Sequence, residues 1–77
     1  MVNYKEYITL EPGKRNGQPC IRGMRITVGD VLGYLAAGMS IEEILEDFQK
    51  LTREDIMAAL AYAAAAQNRT SSVNYAA

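Results

Sequence analysis

Three times in this chain a hydroxyl residue, two spacers and a carboxylate stand directly before a run with helical apolar spacing. The phrases are Thr27-Val28-Gly29-Asp30, Ser40-Ile41-Glu42-Glu43 and Thr52-Arg53-Glu54-Asp55. In such a phrase the hydroxyl accepts a hydrogen bond from an otherwise unpaired N–H of the first helical turn. The carboxylate reaches back to the N–H of the capping residue itself. Glu is the usual acidic member, so the Ser40 phrase predicts the strongest box and the two Asp phrases predict weaker ones. Three helix starts this close together leave room only for short helices and tight turns, the grammar of a helix-turn-helix unit. Units of that kind bind DNA or pair with proteins far more often than they catalyse.

Apolar spacing fills in the helices. Val28, Val31, Leu32 and Leu35 mark the first, over residues 28–37, with Gly38 as its left-handed stop. Ile41, Ile44, Leu45 and Phe48 mark the second, over residues 41–49, with Glu42, Glu43, Glu46 and Asp47 on a solvated face rather than in a metal site. The third follows Thr52 and extends to about residue 67. Its alanine-rich run carries two adjoining stripes, Ile56-Leu60-Ala63 and Ala59-Tyr62-Ala66. Alanine favours helix and lets another backbone approach closely. Two such stripes predict packing within the chain on one side and against a second subunit on the other; the plainer alternative is a helix rich in its best former.

Ahead of the helices, Tyr7-Ile8-Thr9-Leu10 has strand chemistry and Glu11-Pro12-Gly13-Lys14 has turn chemistry. Lys14 to Gln18 continues as polar loop, and Cys20-Ile21 and Arg25-Ile26 are two short extended pieces broken at Gly23. Strands this short require the helices, or another chain, to hold them. The chain therefore divides into a β/loop segment (1–27), a three-helix core (28–67) and a polar tail (68–77) that is expected to be flexible.

Composition narrows function. A chain of 77 residues has a thin core, yet 49% of its residues are hydrophobic, which predicts oligomerisation or a permanent partner unless a monomeric core absorbs them all. No apolar run is long enough to span a bilayer, and a single Cys and no secretory leader fit a cytoplasmic protein. The absence of histidine removes the commonest general base and metal ligand together. Cys20 then has no activating partner and is expected as a small buried hydrophobe. No cofactor, metal or catalytic residue is expected.

The charge is unevenly spread. Up to Gly29 five cations stand against two carboxylates; from Asp30 onward three cations face seven carboxylates. Lys14, Arg15, Arg22 and Arg25 are therefore the candidate phosphate contacts, although an arginine at a loop is as often a structural brace. A third helix acting as a recognition helix adds Thr52 and Arg53, but Glu54 and Asp55 beside them repel phosphates.

Gly17-Gln18-Pro19-Cys20-Ile21-Arg22-Gly23-Met24-Arg25-Ile26, then Leu35 to Leu45 and Leu51 to Ile56, resembles the prokaryotic domain-of-unknown-function 433 family over about residues 7–67. The usual pattern has Thr where this chain has Met24 and often Trp where it has Met39. The resemblance implies a mainly α fold, a small N-terminal β element followed by a three-helix homeodomain-like helix-turn-helix bundle, often dimeric. It also implies a VapB-type antitoxin that neutralises a PIN-like nuclease-type toxin and represses its own operon by binding DNA. On that expectation the partner-binding residues are Ala59, Tyr62, Ala66, Arg69 and Tyr75, with Arg69 as a cationic plug for an acidic active site. The alternative is a stand-alone dimeric helix-turn-helix transcriptional regulator.

Overall fold

The computed structural model describes residues 2–69. Each helix starts where its capping phrase stands. Before α1 (Val28–Ala36) the Asp30 N–H donates to Thr27 Oγ1 at 2.9 Å and the Thr27 N–H donates to the Asp30 carboxylate at 3.1 Å. Ser40 and Glu43 do the same for α2 (Ile41–Asp47), at 3.1 and 2.8 Å. Thr52 and Asp55 do so for α3 (Arg53–Arg69), at 3.2 and 2.8 Å. Both bonds of each aspartate box are made, and each carboxylate is also held by an arginine from outside its own helix.

Two helix ends depart from the spacing. Gly38 stops α1 at φ +99° as anticipated. By contrast α2 stops at Asp47, two residues early, because Phe48 leaves the helix at φ −126°, ψ 80°. Its ring stacks on Tyr34 of α1, with centroids 5.0 Å apart and planes 13° from parallel. The Leu51 N–H then donates to the Phe48 carbonyl at 2.9 Å, closing the turn that delivers Leu51 into the core. At the other end of the chain α3 continues to Arg69, so Gln67 does not end it and residues 68 and 69 belong to the helix, not to a tail.

The β element is smaller than its apolar sequence. Strands β1 (Ile8–Thr9) and β2 (Cys20–Ile21) pair antiparallel, Ile8 opposite Ile21 and Thr9 opposite Cys20. Arg25-Ile26 is not a strand. The chain turns back on itself there, with the Ile21 N–H donating to Ile26 and the Met24 N–H to Ile21, and Cys20 bridges to Thr27 at the cap of α1. Between the strands, Arg15–Gly17 form one left-handed turn rather than open loop, with φ from 49° to 78°.

The core joins both parts of the chain. Ile21, Val28, Val31, Ile44, Leu51, Ile56 and Ala59 form one buried cluster. Each fully buried isoleucine in it contributes about 2–3 kcal/mol by burial. Cys20 is buried beside them, its thiol donating to the Gln18 carbonyl at 3.3 Å. Outside the cluster Tyr4, in a short 3-10 turn over Tyr4–Glu6, meets Tyr62 of α3 edge-on at 5.7 Å.

Candidate functional site

The basic residues singled out by sequence are mostly committed inside the chain. Arg22 sits on the turn after β2 and sends Nε and Nη2 to the two oxygens of Asp55, each at 2.8 Å. Its Nη2 also donates to the Lys50 carbonyl at 2.9 Å. Asp55 is 0% exposed, so a carboxylate that caps α3 is buried and neutralised by a residue 33 positions earlier. Arg15 repeats the device at α1, donating to the Asp30 carboxylate at 2.8 Å and to the Arg25 carbonyl. Both arginines hold a left-handed backbone, φ 49° for Arg15 and 43° for Arg22. That conformation costs about 1–2 kcal/mol in a residue with a Cβ, and the ion pairs hold it.

The electrostatics follow from these contacts. The Arg15 guanidinium, with the Thr27 N–H, holds the Asp30 carboxyl below the usual carboxylate range. For Asp55 burial pushes upward, but the Arg22 guanidinium and the Thr52 N–H outweigh it and leave the carboxyl below its ordinary value. Both arginines are raised in turn by their aspartates. Near neutral pH both pairs are ionised clamps, and the lowered aspartates give up their charge only in acid.

Lys14 is likewise engaged, bonded to the Gly23 carbonyl and 3.5 Å from Glu11. Arg53 pairs with Glu42 across the α2–α3 turn, and Thr52 is spent on its cap. Arg25 is exposed, and its side chain enters neither clamp. Thus Lys14, Arg15, Arg22 and Arg53 all meet carboxylates of the same chain, and Thr52 and Arg53 flank an exposed Glu54.

The residues expected to meet a partner divide differently. Ala59 is fully buried in the chain's own core and presents no surface. Tyr62 and Ala66 are half-buried, Tyr62 packed on the core and against Tyr4. Arg69 is the last residue of α3, and Tyr75 lies outside the described residues. The face of α3 that does open outward shares only Leu60 with the predicted stripes. Met57, Leu60, Ala61, Ala64 and Ala65, with Val2 and Tyr4 as a facing wall, line an apolar groove of ≈ 760 Å³. Met57 is 45% exposed. The signal available in the sequence was the 57–61–64–68 spacing, an alternating four-and-three step that marks a helix-packing seam.

The family model for a protein of unknown function, DUF433, matches residues 8–63, well over half of the chain. The chain belongs to the DUF433 family. A crystal structure of a DUF433 member protein from Anabaena variabilis has the same fold, with a TM-score of 0.75 and 34% identity over 80% of this chain and 61% of that one. An uncharacterised protein of Sinorhizobium fredii, y4eO, is 41% identical over 61 residues, 79% of this chain. The chain spans only 28% of the length of that curated relative. The span matched by the DUF433 model takes in both arginine–aspartate clamps; Val2, Tyr4, Ala64 and Ala65 of the groove lie outside it.

Proposed function

We propose that this DUF433 chain is an antitoxin-like binding protein, which neutralises a PIN-like nuclease-type toxin by direct contact and acts on its own operon through DNA only secondarily. The observation that carries protein contact over DNA contact is the commitment of Arg15 and Arg22 to Asp30 and Asp55. DNA affinity comes from cations that displace counterions from phosphates, and a cation already neutralised within its own chain displaces few. The acidic start of α3, where a recognition helix would meet base edges, supports the same choice. In this reading the protein works by binding in the cytoplasm, and the C-terminal end of α3 meets the toxin.

A PIN-like active site is a cluster of metal-binding carboxylates, and an arginine supplies both the charge and the paired donors to occupy one. The test is co-expression of this chain with a PIN-like toxin from the same genome, with survival as the readout. Arg69→Ala should weaken rescue while the purified variant keeps its helicity; full rescue by a folded variant overturns the plug. The regulator alternative draws on exposed Arg25 and the exposed flank of Arg22. It requires operator affinity that falls steeply with salt and with Arg25→Ala, measured by fluorescence anisotropy.

A further inference from the structure

The left-handed turn at Arg15–Gly17 contains a reactive pair of residues. Of the asparagines in the chain, Asn3, Asn16, Asn68 and Asn74, only Asn16 is followed by glycine. We infer that Asn16 is a site of deamidation, and that the Arg15–Asp30 clamp sets the rate at which it reacts. The step needs only water and base. The Gly17 amide nitrogen gives up its proton to base and attacks the Asn16 Cγ. The Cγ–Nδ2 bond breaks, ammonia leaves, and a five-membered succinimide remains. Water then opens the ring. Opening at Cγ gives aspartate; opening at the main-chain carbonyl gives isoaspartate, with one extra carbon in the backbone. Glycine favours the attack because no Cβ crowds the closing ring.

The closed turn withholds this reaction. Asn16 is exposed to water, at φ 61° and ψ 32°, but the Gly17 N–H donates to the Lys14 carbonyl at 2.9 Å. A proton held there is harder to remove, and ring closure requires Asn16 to leave the left-handed well. The turn is nevertheless under strain, because Arg15 and Asn16 both carry a Cβ at positive φ. Arg15 opposes that strain by tying the turn to the Asp30 carboxylate at the start of α1 and to the Arg25 carbonyl. Deamidation therefore proceeds through local opening, and whatever frees Arg15 speeds it. The two products differ in consequence. Aspartate accepts a left-handed backbone much as asparagine does, so it keeps the turn. Isoaspartate lengthens the backbone and breaks it. Either product adds a carboxylate beside Arg15 that competes with Asp30 for the guanidinium. This inference stands apart from the antitoxin-like reading, and its measurement involves no toxin.

The test is incubation of the full chain in warm, mildly alkaline buffer, followed by peptide mass spectrometry. The small mass gain of an amide turned acid should appear at Asn16 and not at Asn3 or Asn68. A protease that cuts before aspartate but not before isoaspartate separates the two products. Arg15→Ala should speed the reaction about fivefold, the shift in local opening expected for a part-exposed ion pair. Asp30→Asn frees the same arginine without altering the sequence around Asn16, and should speed it likewise. In concentrated urea all three chains should react at one rate, because the clamp acts only in the folded protein. No gain at Asn16 in any folded chain, over a time in which the urea-unfolded chain reacts, overturns the site. Equal rates in the folded unaltered chain and both clamp variants overturn the control by Arg15.

Discussion

Asp55 accepts the Thr52 N–H, caps α3 and receives two guanidinium bonds from Arg22 while fully buried. Truncating the arginine therefore does more than delete a surface ion pair, because it strands a charge inside the protein. Arg22→Ala should cost about 2–3 kcal/mol in urea unfolding, the loss tempered by the water that reaches the guanidinium. Arg15→Ala, whose partner Asp30 is partly exposed, should cost about 1 kcal/mol. Equal losses at the two sites would contradict this account of burial. Acid should act through the same two aspartates. Their folded values are depressed, so their stabilisation is complete above the unfolded value of about 3.9 and is lost as pH falls through the lower folded value. With no histidine in the chain, the melting temperature should be nearly flat from pH 7 to 5 and fall below about pH 4. Asp55→Asn should be less stable at neutral pH and show a shallower acid decline.

Among the elements, helix starts are local and were legible: a Ser or Thr three residues before a carboxylate places all three to the residue. The stop of α2 was not, because Phe48 leaves its helix for a ring on another helix. The clamps were half legible. The arginines stood out by composition, but their partners lie 15 and 33 residues away, and no periodicity links residues at such separations. Alanines in α3 gave the least information, since one residue type serves both core and groove and only packing tells which. That distinction is measurable. Ala59→Leu should cost about 1–3 kcal/mol by overfilling the core. Ala64→Leu, on the exposed side, should leave monomer stability within about 0.5 kcal/mol in dilute thermal melts. Similar losses at both positions would place Ala64 in the core as well.

At the scale of the molecule, the division into a β/loop segment and a three-helix core describes the sequence but not the energetics. Ile21 and Cys20 of β2 fill the same interior as Val31, Ile44 and Ile56, and the Arg15 and Arg22 clamps bolt the front of the chain to the N-termini of α1 and α3. Removing the first 27 residues takes away a buried isoleucine and leaves Asp55 without its cation. Those losses together amount to about 5 kcal/mol or more. A domain of this size has only about 4–10 kcal/mol of net stability. A fragment beginning at Val28 should therefore lack a cooperative melt, with helical signal declining gradually on heating, whereas the whole chain unfolds in one transition seen alike by far-ultraviolet circular dichroism and by tyrosine absorbance. A sharp, native-like transition in the fragment would show that the three helices stand on their own and that the β element is an attachment rather than a part of the core.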